Sequence, residues 1–451
     1  MPNIIAYLAL SLWPLLIIFF LKRFGLHSGL LLSLLGSYMF LPAAFEINFP
    51  GFPALDKGSI TTLTIIIYLI LHGKALGIAV LSKKLKFILF GFLLAPFLTA
   101  ITNKDPYLFL PGLSLYDGLS QSVGSFLYFF PFLLGVKYFR TYEKQLLVFK
   151  YFSLAALLYS LLAVYEIRMS PQLHTQVYGY FPHEWLQQYR QGGFRAVVFM
   201  GHGLLVALFL SFGFAFLITI SKAKIRILPI KNGLLALFLF IVLLLSKSFA
   251  ALLFAIFIFI MIMFAGKKII HKASLAIMLL VITYPLLSVT NLFPHNKIIN
   301  YAGVMSEQRA QSLEFRFKHE KILLEHASNK PHFGWGTWGR NRVYDSESGQ
   351  DISVTDGKWI VTFGSRGWFG FLMEFAFIVA AILASYKAKN YVNSSDKKES
   401  LFLASHALIV SLIMLDQIPN ASLGPLYWFL IGCLLGRSHE ILSNKPLIKP
   451  E

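Results

Sequence analysis

Residues 312–357 read SLEFRFKHEKILLEHASNKPHFGWGTWGRNRVYDSESGQDISVTDG, a polar stretch in a chain that is otherwise mostly apolar. The polar character begins near Asn291 and ends near Asp356, and long apolar runs lie on both sides. A hydrophilic connection of this length between two apolar runs is typical of a loop with a function. We therefore interpret residues 292–357 as one large extracytoplasmic loop that forms the floor of an active site.

The composition of the whole chain predicts a protein embedded in a lipid bilayer. Of its 451 residues, 57% are hydrophobic and 14% are charged, whereas soluble domains carry about 25% charged residues. The first apolar run is not followed by a small-residue cleavage site, so we expect it to remain as a helix and not to be removed as a signal peptide. The single cysteine, Cys433, excludes a disulfide framework and a cysteine-based metal site.

Thirteen apolar runs are candidates for crossing a bilayer. A spanning helix needs about 20 apolar residues, and somewhat fewer in a compact bundle. The two runs on either side of Ser246-Lys247-Ser248 are short, so either two spans or one tilted helix fits there. The predicted fold class is an all-α polytopic membrane protein with about 12–14 transmembrane helices and short amphipathic helices in the large loop. The runs cover residues 4–21, 26–45, 60–81, 86–101, 118–137, 148–166, 196–219, 232–246, 248–265, 273–291, 359–386, 401–417 and 424–437.

The formal net charge of +19 is distributed unevenly over the connections between these runs. Lys and Arg cluster in alternate short connections and in the C-terminal tail, which is typical of cytoplasmic loops. Most of this charge therefore indicates orientation and not a nucleic-acid partner. The predicted organisation is N-terminal transmembrane helices (1–166), an extracytoplasmic loop (167–195), central transmembrane helices (196–291), the large extracytoplasmic loop (292–357), and C-terminal transmembrane helices with a cytoplasmic tail (358–451).

Three basic residues in the middle of the chain lie at or near membrane depth, where a charge is costly and is a functional candidate by default. Arg195 follows Gly192-Gly193 where the chain re-enters the membrane, and His202 comes seven residues later, two turns along one helical face. Lys247 lies between two apolar runs. Simpler interpretations stay open: Arg195 as an anchor to lipid headgroups, His202 as a buried histidine bonded to a neighbouring helix, and Lys247 as a hairpin marker.

The large loop contributes further candidates for binding a substrate. Residues 305–328 have the pattern of an amphipathic helix that would present Arg316 and Lys318 to lipid phosphates, although an ordinary solvated helix with Glu–Lys pairs fits as well. Trp335 and Trp338 lie among glycines and offer flat faces of the kind that stack on sugars.

The end of the loop carries a candidate catalytic base. Asp356 precedes the next span and could accept a proton, and it could equally be a helix N-cap. Lys358 follows it and is a candidate substrate contact. The spacings of His319, His326 and His332 differ from the i,i+4 pair of a helical zinc site, so we predict no metal site.

Several short motifs taken together resemble the O-antigen polymerase and ligase superfamily of bacterial inner membranes. The resemblance covers roughly residues 195–375, and the N-terminal spans match only in hydrophobicity. The motifs are R-x-x-x-F from Arg195 to Phe199, Ser-Lys-Ser around Lys247, an arginine followed by Leu-Leu from Arg316 to Leu324, P-x-x-G-x-G from Pro331 to Gly336, T-D-G-x-W from Thr355 to Trp359, and G-W-x-G-F-L from Gly367 to Leu372.

The resemblance implies a glycosyltransferase that takes a glycan from an undecaprenyl-pyrophosphate donor on the periplasmic face of the inner membrane. A polymerase transfers the glycan to a second lipid-linked glycan, of O-antigen or exopolysaccharide, and a ligase transfers it to lipid A-core. The resemblance further implies an enzyme that uses neither a metal nor a cofactor, because arginines stabilise the leaving group. By this resemblance, Arg195 and Arg316 clamp the pyrophosphate and Lys247 supports them. The implied partners are the donor, the acceptor, the bilayer and, as a further candidate, a chain-length regulator.

One position departs from the ligase pattern. Ligases of the superfamily have a histidine at the start of the span after the large loop, as the base that activates the acceptor, whereas this chain has Thr355-Asp356-Gly357-Lys358. Asp356 can accept a proton from a sugar hydroxyl in a cation-lined site, so the departure favours a polymerase over a ligase. A transporter or flippase is the other alternative. The sequence shows no internal repeat, and its charges lie at the outer interface and not at the midplane, which disfavours transport.

Overall fold

Helices account for most of the fold. The computed structural model of the protein describes residues 1–48, 53–190, 192–392 and 397–444. The structure is 71% helical, and eight of the described helices are long and apolar enough to cross a membrane, with four shorter apolar helices beside them. The predicted class, an all-α polytopic membrane protein, is confirmed. The helices are α1 (Ile4–Arg23), α2 (Gly25–Phe40), α3 (Lys57–Leu71), α4 (Lys83–Ile101), α5 (Leu115–Tyr138), α6 (Tyr142–Met169), α7 (Leu173–Tyr178), α8 (Gly203–Lys222), α9 (Asn232–Leu245), α10 (Phe249–Phe264), α11 (Lys267–Val289), α12 (His295–Met305), α13 (Glu307–Ser328), α14 (Lys358–Ala388), α15 (Lys397–Asp416) and α16 (Pro425–Ser443).

Each predicted span overlaps one of these helices, and the question left open at residues 246–248 is answered. There α9 ends at Leu245 and α10 begins at Phe249, so two helices are present and not one tilted helix. Lys247 has a φ of 53°, a left-handed conformation that is incompatible with a continuous right-handed helix. The Ser-Lys-Ser segment therefore separates two helices.

The predicted span 196–219 begins too early, because its first residues are not helical. Helix α8 starts at Gly203. Before it, Val198 and Gly201 have φ angles of 47° and 92°, which interrupt a right-handed helix. Residues 196–200 are nevertheless buried. Their apolar character thus reflects a loop packed inside the bundle.

The connections between helices gather at two opposite ends of the bundle. At the site end, Lys247 contacts the loop that follows α6 through the Arg190 carbonyl. At the basic end, Arg437 pairs with Glu399 at 2.7 Å. Connections rich in Lys and Arg thus share one end, and the two predicted extracytoplasmic loops share the other. The site end comprises residues 41–48, 53–56, 102–114, 170–190, 192–202, 246–248, 290–357 and 417–424.

Helix α14 is sharply bent, and the bend sets the position of the end of the large loop. Gly367 has φ 63° and ψ −169° in the middle of the helix. Lys358 and Thr362, before the bend, contact the Glu374 carboxylate, after it, at 3.1 and 2.9 Å. The two arms therefore fold toward each other. The predicted span narrows to the second arm, residues 368–388, whose length of about 31 Å is enough to cross a bilayer.

The segment 331–336 fills this bend and satisfies its backbone. The amide of Trp335 donates to the Gly364 carbonyl at the end of the first arm, at 2.8 Å. The amide of Trp368 at the start of the second arm donates to the Pro331 carbonyl, also at 2.8 Å. A bend would otherwise leave these helix-end groups without partners, so the P-x-x-G-x-G motif stabilises it.

Candidate active site

The first element of the site is the non-helical segment 195–202. The carboxylate of Glu166, near the end of α6, accepts hydrogen bonds from the backbone amides of Val197 and Val198, both at 2.7 Å. The Tyr159 hydroxyl accepts a bond from a third amide of the segment at 2.9 Å. Two buried side chains thus replace the backbone partners that a helix would provide, and they hold the segment in place.

Arg195, at the start of this segment, is buried, and among the described residues no carboxylate forms an ion pair with it. The residue is 3% exposed, and its Nε makes no hydrogen bond within the part of the chain that the structure describes. Burial, and after it the charges of Arg190 and Arg316, lower the pKa of the Arg195 guanidinium to about 10, so it is still charged at neutral pH. A buried cation without an acceptor is unfavourable. The Arg195 guanidinium is therefore a candidate to meet an anionic ligand, and its burial disfavours a surface anchor to headgroups.

His202 immediately precedes helix α8. The sequence pattern predicted that it shares a helical face with Arg195, and the structure shows that it does not. Its Nδ1 accepts a hydrogen bond from the Leu204 amide at 2.9 Å, as the N-cap of the helix. Its ring lies 4.8 Å from the ring of His183. Burial, and after it the charge of Arg195, lower the pKa of His202 to about 3, so the ring is neutral at physiological pH. The expectation failed because residues 195–202 are not helical.

A short β-hairpin presents Arg190 beside this segment. Strand β1 (Tyr189–Arg190) pairs antiparallel with β2 (Gly193–Phe194). Lys247, from the break between α9 and α10, donates from Nζ to the Arg190 carbonyl at 3.0 Å. A Cβ on Gly193 would lie 2.4 Å from this Nζ, so the end of the lysine side chain would have to shift if residue 193 were larger than glycine. Lys247 thus braces the hairpin and brings a further positive charge to it, which a plain hairpin marker would not do.

Helix α13 supplies the second arginine of the site and is fixed by Glu320. The Glu320 carboxylate accepts bonds from the Tyr284 hydroxyl at 2.7 Å, the Ser288 hydroxyl at 2.9 Å and the Trp359 indole at 3.2 Å. Burial raises the pKa of Glu320 above its usual range. These bonds tie α13 to the end of α11 and to the start of α14. Arg316, one turn earlier on the same side of α13, is thereby directed toward the start of α14.

Arg316 meets Asp356 and the loop between α15 and α16. Its Nη1 donates to the Pro419 carbonyl at 2.5 Å and to Asn420 Oδ1 at 3.3 Å, and its Nε lies 3.7 Å from Asp356 Oδ2. The side chains of Arg316 and Asp356 are 33% and 40% exposed, so a ligand can reach both. The N-cap of α14 is Gly357, without a side-chain cap bond. Asp356 therefore does not act as a helix cap, and its carboxylate faces Arg316.

Two of the three lysines predicted to bind substrate, Lys318 and Lys358, do not join this cluster. Lys318 is exposed and lies about 200° around α13 from Arg316. Lys358 is half-buried and forms an ion pair with Glu374 at 3.1 Å, across the bend of α14. Lys358 thus holds the two arms of α14 together, a role that its place beside Asp356 in the sequence did not indicate.

The two predicted tryptophans lie near the end of α13 that is distant from Arg316. Trp335 donates from Nε1 to the His326 carbonyl at 2.8 Å, and its ring stacks on the His326 ring at 4.3 Å and lies 4.4 Å from the Lys330 ammonium. His326 is about 15 Å along α13 from Arg316. Protein groups thus occupy Trp335, which leaves it poorly placed for the predicted sugar stacking. Trp338 is 51% exposed.

Sequence reasoning missed four residues of the site: Glu166, His183, Arg190 and Asn420. Glu166 carried a usable signal, because a carboxylate in an otherwise apolar span is a functional candidate. Arg190 and His183 lie in a loop that is poor in cations, and nothing in the local sequence indicates that Arg190 lies near Arg195 or that His183 contacts His202. Asn420 is a neutral side chain in a short connection, and its contact with Arg316 depends on how distant helices pack.

A comparison with family models identifies part of the chain. Residues 233–375 match the family described as O-antigen ligase. The matched region contains Lys247, Arg316 and Asp356, and Arg195 lies before it. No match was found among curated proteins. The members of the matched family are glycosyltransferase-like enzymes, both ligases and polymerases. Residues 233–375 of this multi-pass membrane protein are thus similar to the O-antigen ligase family, which supports the resemblance to the O-antigen polymerase and ligase superfamily.

Proposed function

We propose that the protein polymerises undecaprenyl-pyrophosphate-linked repeat units of O-antigen or exopolysaccharide. The observation that carries this proposal is the buried, unpaired guanidinium of Arg195, close enough to Arg316 for the second charge to lower its pKa. A site with this excess of positive charge suits a ligand with several negative charges, and a lipid pyrophosphate is such a ligand. The distribution of Lys and Arg among the loops supports a site on the periplasmic face of the bacterial inner membrane.

In the proposed reaction, a hydroxyl of the acceptor glycan attacks the anomeric carbon of the donor glycan. The new carbon–oxygen bond forms as the bond from that carbon to the pyrophosphate oxygen breaks. The hydroxyl proton passes to Asp356, and undecaprenyl pyrophosphate leaves with the electron pair. Arg195 and Arg316 supply positive charge where negative charge develops on the leaving group.

The surroundings of Arg316 support its role in this reaction. Because Pro419 and Asn420 accept bonds from Nη1, the guanidinium is oriented before the donor binds. We propose that the two arginines take the place of a divalent cation. Among the described residues, no three His, Cys, Asp or Glu side chains are grouped as metal ligands, but the proposal rests on the charges of Arg195 and Arg316 and not on that absence.

The second candidate function is that of an O-antigen ligase, which the description of the matched family favours. Asp356 at the position of the ligase histidine favours the polymerase. Deletion of the gene in its host separates the two functions. Loss of a polymerase leaves single repeats on the acceptor, whereas loss of a ligase leaves long chains on the undecaprenyl carrier. Long chains on the carrier would therefore contradict the polymerase. A chain-length regulator is a further proposed partner of the polymerase.

A further inference from the structure

The exposed ring of Trp338 borders a small pocket that the proposed chemistry does not use. The pocket lies between the ends of α4 and α5 at the site end and the bend of α14, and its polar lining includes Asp117, Gln121, Thr337 and Arg366. Arg366 is at the opposite end of the first arm of α14 from Lys358, about 12 Å along the helix. The pocket is therefore separate from Asp356 and from the bond that would react there.

Trp338 is held in an unfavourable conformation with its ring exposed. Its backbone φ of 54° is in the left-handed region, which residues other than glycine rarely adopt. Among the described residues, each of the other six tryptophans packs against an aromatic ring, and Trp338 does not. Backbone strain of this kind persists where the surrounding structure enforces it, and it is frequent at ligand-binding positions.

Arg340 enforces this conformation. The residue is 2% exposed, and its guanidinium donates to the carbonyls of Trp335, Pro111 and Asp105 at 3.1, 2.7 and 3.1 Å. These bonds fix the turn of residues 336–339 against the loop between α4 and α5. The Trp338 ring is thus presented rigidly, so little conformational freedom would be lost when a ligand binds to it.

Polar groups beside the ring have spare hydrogen-bonding capacity. The Thr337 hydroxyl is buried and has no partner within the described residues. The Gln121 amide lines the pocket and makes no side-chain hydrogen bond in that part of the chain. Asp117 uses Oδ2 to cap α5 through Ser114, and Oδ1 is not used in that cap. A flat apolar face and unused polar groups therefore meet in one pocket.

We propose that Trp338, Thr337 and Gln121 form a glycan-binding subsite that holds one sugar residue of the acceptor or of the growing chain, away from the reacting bond. The inference rests on the proposed function for the identity of the ligand. A pyranose ring has an apolar C–H face that can stack on the indole, and its hydroxyls can bond to the threonine and the amide at the edge. Such a subsite would keep the glycan bound while the catalytic centre releases undecaprenyl pyrophosphate.

Binding of a soluble glycan tests the subsite directly. The probe is an oligosaccharide released by mild acid from the polysaccharide of the host, titrated calorimetrically into the purified protein in nanodiscs. Trp338→Ala and Trp338→Gly should each weaken binding about tenfold, and Gln121→Ala should weaken it less. The glycine variant relieves the backbone strain, so misfolding would not account for its loss. Tyr301→Ala, which removes another exposed aromatic ring of the large loop, should bind like the wild type.

Wild-type affinity in both Trp338 variants, or no binding by the wild-type protein, would overturn the subsite. Arg316→Ala separates this result from the proposed function, because it should abolish transfer and leave the affinity for the oligosaccharide unchanged. Normal binding by the Trp338 variants together with lost transfer in Arg316→Ala would refute the subsite alone. Binding through Trp338 without any transfer from a lipid-linked donor would refute the proposed function alone.

Discussion

Nε of Arg316 lies 3.7 Å from Oδ2 of Asp356, although the two residues belong to different elements. Arg316 is on α13, which Glu320 ties to α11 and α14, and Asp356 immediately precedes the N-cap of α14. In the proposed transfer, a cation must contact the pyrophosphate leaving group and a carboxylate must contact the attacking hydroxyl. Both groups act at the anomeric carbon of the donor glycan, where one bond breaks and the other forms. The contact between Arg316 and Asp356 thus brings together the two charged groups that the proposed transfer needs.

Asp356→Asn should abolish chain extension without unfolding the protein. The amide keeps the shape of the side chain but cannot accept the proton, so the transfer rate should fall by about 10²–10⁴-fold. Long-chain glycan on a silver-stained gel, from a host that lacks the native gene, provides the measurement. Glu347→Gln changes an exposed carboxylate of the same loop and should give a normal ladder. A wild-type ladder from Asp356→Asn would eliminate Asp356 as the base.

Two buried arginines should respond in opposite ways to replacement by alanine. Arg195 and Arg340 are 3% and 2% exposed, but within the described residues carbonyl acceptors surround the guanidinium of Arg340 and not that of Arg195. Arg195→Ala should abolish transfer and leave the melting temperature equal or higher, because it removes an uncompensated buried charge. Arg340→Ala should lower the melting temperature, because it leaves three carbonyls without donors. A large loss of stability in Arg195→Ala would show that its charge is paired in the native protein.

Glu166 should affect catalysis by positioning Arg195. Glu166→Ala leaves the amides of Leu173, Val197 and Val198 without their acceptor, at a cost of about 1–3 kcal/mol for each unsatisfied group. Segment 195–202 should then move, and kcat should fall more than tenfold. Glu166→Gln keeps one carbonyl oxygen and should restore part of the rate. Equal kcat in the wild type and in Glu166→Ala, measured with purified protein, would exclude this role.

The bend of α14 should depend on Gly334. A Cβ there would lie 2.5 Å from the backbone nitrogen of Arg366, so Gly334→Ala would force segment 331–336 out of the bend. Gly349→Ala is the matched control, since Gly349 also has a positive φ, of 68°, but a Cβ would meet nothing closer than 3.7 Å. Detergent-extracted Gly334→Ala should be far less abundant and less thermally stable than Gly349→Ala. Equal stability of the two variants would show that the motif does not pack tightly in the bend.

Much of the bundle could be predicted from the sequence. A helix that crosses the hydrocarbon core must be apolar along its length, and cytoplasmic loops are rich in Lys and Arg. The junction at Lys247 could be located for this reason, whereas the choice between two helices and one tilted helix needed the structure. The non-helical segment 195–202 could not be predicted, since apolar residues indicate burial whether or not the backbone is helical. Its conformation depends on Glu166, which lies on the preceding span.

The candidate site shows a similar limit. Arg195, Arg316 and Asp356 could each be proposed from the local sequence, either because a charge near membrane depth is energetically costly or because the residue belongs to one of the short motifs. Their arrangement depends on tertiary contacts, such as Glu320 with α11 and segment 331–336 with α14, which no local pattern encodes. The ion pair of Lys358 could not be predicted for the same reason, because its partner Glu374 lies beyond the bend.

The most direct test of the central claim, that Arg195 and Arg316 bind a lipid pyrophosphate, is native mass spectrometry of the purified protein. The protein is titrated with undecaprenyl pyrophosphate in the presence of EDTA. The wild type and Asp356→Asn should bind the lipid with equal affinity, because the base is not needed for binding. Arg195→Ala and Arg316→Ala should each bind about 10–100-fold more weakly, since each loses charge-assisted hydrogen bonds to phosphate. Wild-type affinity in both arginine variants would contradict the claim.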